Sequence, residues 1–150
     1  MFKIVGLLIC VSISWLQAMD VDASPVRQQP LTAEAICRKI LTEVPLTELS
    51  LDSIDPERLR RWGKDNVIAS LYYCAVSHLK TTNREHDLNQ AKAWYAKSAL
   101  ADDPYALYTL GIIFIKWDKQ EVLGRILMQA AADKNYYRAR VYLGLEKQDF

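Results

Sequence analysis

The feature that most limits how this chain can fold is an internal repeat in its carboxyl-terminal half. The stretch 91–111, AKAWYAKSALADDPYALYTLG, returns at 124–144 as GRILMQAAADKNYYRARVYLG. The matched positions, at a shift of about 33 residues, are Ala99 with Ala132, Ala106 with Ala139, and Leu110-Gly111 with Leu143-Gly144. Repeats of this length are typical of helical hairpins whose neighbouring copies bury a shared core. We therefore expect a helical array that presents a surface.

The rest of the chain after the amino-terminal region is also patterned for helices. No segment alternates polar and apolar residues as a half-buried strand does. Thr32, Asp55 and Asp103 are predicted N-caps, and proline follows the last two at the first helical position. Asp87 and Asp118 each begin a predicted capping box. The predicted helices run over about 33–44, 56–63, 66–80, 88–101, 104–117, 119–133 and 136–147.

Small residues mark where these helices are expected to approach one another. Gly111 and Gly144 are expected in mid-helix, where glycine costs about 1 kcal/mol relative to alanine. Close contact between two helix backbones is the expected compensation. The repeat positions assigned to this packing are Trp94, Tyr95, Ala99, Ala106, Leu110, Gly111, Ala132, Ala139, Leu143 and Gly144.

The first residues have the layout of a secretory signal peptide. Lys3 precedes an apolar run of about a dozen residues, 4–16, and small residues follow it. Cleavage after Ala18 and cleavage after Ala23 both fit this layout. The run is shorter than the roughly 20 residues that span a bilayer, and an uncleaved anchor is the alternative. The predicted organisation is a signal peptide at 1–23, a flexible arm at 24–31 and a single helical-repeat domain at 32–150.

Export places a chain where disulfides persist. If Cys10 leaves with the signal peptide, Cys37 and Cys74 remain. A disulfide between them closes a loop of about 37 residues and contributes about 3 to 4 kcal/mol in the chain-entropy model. Two buried, unbonded cysteines are the alternative, and the sequence leaves both open.

Charge and motifs argue against several classes of protein. The formal net charge is +1, and no block of Lys and Arg favours a nucleic-acid binder. His78 and His86 lie on either side of a polar turn, which does not fit a zinc pair. Asp103 is better used as a helix cap than as a carboxylate partner of Asp102. No hydrolase or nucleotide-binding motif is present, so we expect no enzyme, no metal and no cofactor.

The repeat carries a motif in each of its halves. Residues 94–99 read WYAKSA, and residues 106–114 read ALYTLGIIF. This resembles the Sel-like repeat, a relative of the tetratricopeptide repeat, whose pattern is WYxKAA followed by AxxxLGxxY. The second copy keeps the alanines and the Leu-Gly pair, and a degraded third copy runs over 62–74. Asp102 and Asn135 depart from the family, since a glycine usually ends the helix there.

The resemblance implies an all-α fold in which antiparallel helical hairpins stack as a short right-handed alpha solenoid. The clearest repeats are then 66–101 and 104–133, with a partial repeat at 136–147. In this family the first helices line a concave face that holds protein partners. On that face the resemblance places Tyr72, Tyr105, Thr109, Arg138 and Tyr142. The alternative is that the tyrosines only cover the core.

These features favour an exported, non-enzymatic scaffold or adaptor that acts in the assembly or regulation of a bacterial envelope complex. We expect a protein partner, no nucleic acid and no small-molecule substrate, with membrane attachment only through an uncleaved signal. The expected location is the periplasm, with the extracellular space as the alternative. A small inhibitor or immunity-type protein is a second hypothesis. A hydrolase is a third, based on cysteine-rich relatives of the repeat, although Cys37 and Cys74 do not recur as theirs do.

Overall fold

Seven α-helices form the secondary structure of residues 30–78 and 81–146, the part of the chain that the computed structural model describes. They are α1 (Ala33–Glu43), α2 (Pro56–Trp62), α3 (Lys64–Ser77), α4 (Arg84–Leu100), α5 (Pro104–Lys116), α6 (Glu121–Asp133) and α7 (Tyr137–Tyr142). These residues contain no β-strand, so the predicted all-α class is confirmed. None of the seven helices is long and apolar enough to cross a membrane. The predicted signal peptide, its cleavage sites and most of the arm lie outside the described residues.

The three predicted N-caps are confirmed. Thr32 Oγ1, Asp55 Oδ1 and Asp103 Oδ1 each accept a backbone N–H from the first turn of the following helix, at 3.1, 3.1 and 2.9 Å. Each bond satisfies one of the donors that a helix leaves unpaired at its start.

Both predicted capping boxes are wrong. Helix α4 begins about one turn earlier than predicted, with Asn83 as its cap, so Asp87 lies inside the helix. Helix α6 begins with Gln120 as its cap and no side-chain bond to the backbone. Asp118 instead forms an ion pair with Lys92 of α4, at 2.9 Å. Asp118 thus binds Lys92, which is distant in sequence, instead of the backbone N–H groups at the start of α6.

The two glycines of the repeat have different environments. Gly111 lies inside α5, where a Cβ would come within 2.9 Å of the carbonyl oxygen of Gly124 in α6. The predicted close approach of two helix backbones is therefore confirmed at this position. Gly144 does not lie in mid-helix as predicted, because α7 ends at Tyr142 and Gly144 has φ +72°. The N–H groups of Gly144 and of the next residue bond back across the last turn at 3.0 and 2.8 Å, a Schellman end that requires a left-handed residue.

The helices pack mainly against their neighbours in the chain. Helix α3 packs on α4, α5 on α6 and α4 on α5, while α1 lies on α4 and α6. Lys97 near the end of α4 pairs with Asp65 at the start of α3, at 3.1 Å, so these two helices run in opposite directions. Of the ten predicted packing positions, all except Leu143 and Gly144 are buried. The bulkiest fully buried side chains are Trp94, Tyr95, Ile68, Leu110, Ile113, Leu127 and Met128.

Asp102 and Asn135, which match each other in the repeat, end α4 and α6 in the same way. Both are left-handed, with φ 73° and 59°. In each case the N–H of the next residue bonds back to a carbonyl five residues earlier, at 3.3 Å after Asp102 and 3.0 Å after Asn135. Asp and Asn tolerate this conformation better than most side chains. The two copies therefore share the same kind of helix end.

An irregular segment, residues 44–55, covers one side of α4. The side chain of Gln90 donates to the Pro45 carbonyl at 2.8 Å and accepts the Thr47 N–H at 2.9 Å. The Thr47 carbonyl accepts from Trp94 Nε1 at 3.2 Å and from the Tyr72 hydroxyl at 3.3 Å. We call Pro45, Thr47, Tyr72, Gln90 and Trp94 the covered face. The buried side chains of Tyr72, Gln90 and Trp94 each form a hydrogen bond with the backbone of the segment.

Candidate functional site

Two of the five residues predicted to contact a partner are not at the surface. Tyr72 and Thr109 are only 6% and 8% exposed. Tyr72 belongs to the covered face, and Thr109 Oγ1 donates to the carbonyl of Tyr105 one turn earlier, at 2.9 Å. The prediction is corrected at these two positions, because both side chains pack inside the protein.

The other three predicted residues are accessible. Tyr105 is half-buried, and Arg138 and Tyr142 are exposed on α7. The ring of Tyr105 lies edge-on to the buried Tyr95, with 6.2 Å between their centroids. The core therefore fixes the position of the Tyr105 ring.

Tyr105 belongs to a row of four aromatic rings, Trp62, Tyr105, Tyr136 and Tyr108, which we call the aromatic row. The centroids of Trp62 and Tyr105 are 5.0 Å apart, those of Tyr105 and Tyr136 are 6.4 Å apart, and those of Tyr136 and Tyr108 are 5.3 Å apart. The first two pairs meet edge to face, an arrangement that stabilises aromatic pairs by about 0.5 to 1.5 kcal/mol beyond burial. The row thus joins α2 and α5 to the start of α7.

A cavity of about 210 Å³ lies at the Trp62 end of the row. It is lined by Arg58, Trp62, Asn66, Val67, Ser70 and Tyr105. Asn66 is 6% exposed, and its Nδ2 donates to the Trp62 carbonyl at 3.0 Å and to the carboxylate of Asp103. Asn66 Oδ1 is buried and accepts no hydrogen bond from any residue that the structure describes. One of the residues that line the cavity therefore has a buried polar atom without a partner among the described residues.

A second, wider cavity of about 480 Å³ lies at the Tyr108 end of the row. It is lined by Tyr108, Tyr137, Arg138, Val141 and Tyr142. Tyr137 and Tyr142 are among the large side chains that remain most exposed. We call the two cavities and the aromatic row between them the groove.

Each end of the groove carries an arginine. Neither Arg58 nor Arg138 forms an ion pair within residues 30–78 and 81–146. Arg60 and Arg61, also on α2, both pair with Glu57, at 2.8 and 3.9 Å. The groove thus has two uncompensated positive charges.

Tyr136 lies at the centre of the groove. Desolvation by burial raises the pKa of its hydroxyl, while the nearby Arg138 guanidinium acts in the opposite direction. The net shift is upward, so the hydroxyl is protonated at neutral pH and can donate a hydrogen bond.

The side chains of the groove are suited to binding through rings, hydrogen bonds and charge. In the described part of the chain, no group of three or more His, Cys, Asp and Glu is placed to hold a metal ion. His78 and His86 are exposed outside the groove, and His86 Nδ1 lies 3.2 Å from Asp87 Oδ1. The Ser70 hydroxyl in the first cavity donates to the Val67 carbonyl at 2.8 Å.

The candidate disulfide pair is not bonded in the structure. Cys37 is a buried free thiol on α1, and Cys74 is an exposed free thiol on α3. Of the two alternatives that the sequence left open, the structure has the unbonded one, with one cysteine buried rather than both. Burial raises the pKa of the Cys37 thiol to about 12.

Sequence reasoning missed most of the groove. Tyr108 follows Tyr105 by three positions on the same helix, so helical spacing was a usable signal for it. Arg58 lies in a charged run with Glu57, Arg60 and Arg61 that sequence alone would assign to solvent, although Arg60 and Arg61 pair with Glu57 and Arg58 lines the cavity. Asn66 gave no signal, because its cavity exists only once α2, α3 and α5 are in place.

A role for this chain must be inferred from the groove itself. No family model, no curated protein and no solved structure matches it.

Proposed function

We propose that this chain is an exported, non-enzymatic adaptor that binds a protein partner through the groove, in the assembly or regulation of a bacterial envelope complex. The observation that carries the proposal is a row of aromatic rings between two cavities, with an arginine at each end that has no carboxylate partner among the described residues. Aromatic residues and arginine are enriched at the energetic centres of protein interfaces. The Tyr105 ring, already held against the buried Tyr95, loses little conformational entropy when a partner binds.

We further propose that the chain is a divergent Sel-like array, in which the hairpins α3–α4 and α5–α6, followed by α7, stack as a short right-handed solenoid. The matched helix ends at Asp102 and Asn135 support this proposal, as does the burial of Ala99, Ala132 and Ala139 at matched positions. The groove is lined from α2, α3, α5 and α7. The last three are the first helices of the proposed hairpins, which line the concave face in this family.

Site-specific photo-crosslinking in the native host tests the adaptor function. A photoreactive residue in place of Tyr142 or Trp62 is expected to capture a discrete protein partner. Val122 on α6 is the matched control, since it is 71% exposed and lies outside the groove. Absence of any adduct from both groove positions, or the same adduct from Val122, contradicts the proposed function.

Export is tested separately by intact mass. The protein recovered from the periplasm is expected to begin at Met19 or at Ser24, the residues after the two candidate cleavage sites. Protein that begins at Met1 and remains in the cytoplasm contradicts the proposal.

A further inference from the structure

The chemistry of the groove indicates what kind of segment the partner contributes, an inference that depends on the proposed function. The first step is the orientation of the Asn66 side chain. Its Nδ2 faces two acceptors, the Trp62 carbonyl and the Asp103 carboxylate. Because Nδ2 is the only donor of this amide, the amide cannot be turned over without breaking both bonds. Oδ1 is therefore held as an acceptor.

Asp103 is itself fixed, which keeps this arrangement rigid. Its Oδ1 caps α5 by accepting the N–H of Tyr105 at 2.9 Å, and its Oδ2 also accepts from Ser98 Oγ at 3.0 Å. Asn66 Oδ1 therefore cannot gain a donor by a local shift of this network. A buried acceptor left unpaired is destabilising, and a backbone N–H from a bound segment relieves that.

The second step is the charge at the two ends of the groove. Arg58 lines the first cavity and Arg138 lines the second, and neither has a carboxylate partner in the described residues. Guanidinium groups bind carboxylates with two parallel hydrogen bonds. A complementary segment therefore carries an acidic side chain near each end.

The third step is the length between the two ends. The three centroid distances, 5.0, 6.4 and 5.3 Å, put Trp62 and Tyr108, the end rings of the row, no more than about 17 Å apart. An extended chain advances about 3.3 Å per residue, so at most about five residues cross the row. The rings offer these residues an apolar surface.

We infer that the groove binds an extended segment of the partner protein in which two acidic residues flank a short apolar stretch. Arg58 and Arg138 pair with the two carboxylates, and a backbone N–H of the segment donates to Asn66 Oδ1. A glycan fits these features less well. The rings of the row meet edge to face and so do not offer parallel faces to successive sugars, and a neutral glycan leaves both arginines unpaired.

Selection from a phage-displayed library of random twelve-residue peptides tests the inference on the purified exported protein. Enriched peptides are expected to carry two Asp or Glu residues separated by about three to five positions. Arg58→Glu and Arg138→Glu are each expected to weaken binding of a selected peptide about tenfold or more. Arg125→Glu on α6 is the matched control, because it makes the same change in charge at an exposed arginine outside the groove, and it is expected to leave affinity within about twofold.

An ester scan of a selected peptide tests the role of Asn66 without altering the protein. Replacing each backbone N–H in turn by an ester oxygen is expected to weaken binding about tenfold at one position. In the Asn66→Ala protein, the ester at that position is expected to leave affinity unchanged. If the ester weakens binding equally at every position, the assignment of Asn66 is overturned.

The inference is overturned if no peptide is enriched, if enriched peptides lack acidic residues, or if only soluble peptidoglycan fragments bind the groove. If groove crosslinks to a protein occur together with any of these results, the adaptor function stands and the inference on the partner's segment fails. If neither groove crosslinks nor enriched peptides are found, the adaptor function and the inference on the partner's segment both fail.

Discussion

The covered face and the groove are built from the same kinds of residue, a buried amide beside a tryptophan and a tyrosine. They differ in whether the amide is fully hydrogen-bonded and whether the tryptophan is buried. On the covered face, Gln90 uses both its donor and its acceptor on the backbone of one segment. In the groove, Asn66 uses its donor twice and leaves its acceptor unpaired. Trp94 is fully buried, whereas Trp62 is 45% exposed.

The difference separates a face whose polar groups are satisfied within the protein from the face that we propose binds a partner. The chain itself supplies an irregular segment, 44–55, that satisfies the polar groups of the covered face. Within the described residues, no segment does this for the groove. On the covered face, the backbone at Pro45 and Thr47 therefore satisfies both an amide and an indole.

The largest expected effect separates the two tryptophans. Trp94→Ala is expected to lower the free energy of unfolding by about 4 kcal/mol, because a fully buried indole leaves a cavity. Trp62→Ala is expected to cost only about 1 kcal/mol, because its ring is partly exposed. Urea denaturation followed by circular dichroism measures both.

Trp94→Phe is the companion variant if Trp94→Ala does not fold. It keeps a ring and removes the Nε1 bond to the Thr47 carbonyl, so a smaller loss of about 1 to 2 kcal/mol is expected. If Trp62→Ala and Trp94→Ala lower the free energy of unfolding by similar amounts, the proposed difference between the groove and the covered face is contradicted.

The two amides give the next largest effect. Gln90→Leu is expected to destabilise the fold by about 2 kcal/mol, since the Pro45 carbonyl and the Thr47 N–H both lose their partner. Asn66→Ala is expected to cost less than about 1 kcal/mol, because removing an unpaired buried acceptor offsets the two lost donor bonds. A larger loss for Asn66→Ala than for Gln90→Leu, by the same urea measurement, contradicts the assignment of Asn66 to a binding role.

Sequence predicts the scaffold far better than the groove, for a physical reason. Caps at Thr32, Asp55 and Asp103 are local, since each side chain bonds to the first turn of its own helix. The predicted close approach at Gly111 follows from its position in the repeat and is confirmed. The two failed capping boxes, at Asp87 and Asp118, are sites where another partner replaces the local one, as the ion pair to Lys92 does for Asp118.

The groove depends on contacts that the repeat does not encode. Alignment of the copies placed Tyr72 and Thr109 on the same face as Tyr142, yet only Tyr142 is exposed. Tyr72 is buried because segment 44–55, which has no counterpart in the repeat, lies over it. At Tyr72, a segment outside the repeat thus decides whether the side chain remains at the surface.

The buried thiol offers a smaller effect that depends on pH. The folded-state pKa of Cys37, about 12, lies above that of an unfolded thiol, about 8.5. Its contribution to stability is therefore complete below about pH 8.5 and is lost as the pH rises toward 12. The stability difference between the wild type and Cys37→Ala is expected to shrink by about 1 to 2 kcal/mol between pH 7 and pH 10.

Alkylation kinetics provide the second measurement for Cys37. Iodoacetamide at pH 8 is expected to modify the exposed Cys74 and to spare Cys37, since the thiolate is the reactive form. Equal labelling rates of the two thiols in the folded protein argue against burial of α1 on α4.

The smallest expected effect is a gain in stability at the left-handed residues that end α4 and α6. Asp102→Gly is expected to stabilise the fold by about 0.5 kcal/mol, because glycine adopts φ 73° without strain and the ion pair it removes, to Lys134, has a largely exposed carboxylate. Asn135→Gly is expected to be neutral, because asparagine tolerates this conformation and its side chain accepts a bond from Arg140 at 3.0 Å. Both are measured by urea denaturation.

Asp102 lies beside α1, away from the groove, so Asp102→Gly should leave the affinity for a selected peptide unchanged. A loss of affinity in Asp102→Gly would mean that the groove is coupled to the end of α4 through Asp103, which caps α5 and holds Asn66.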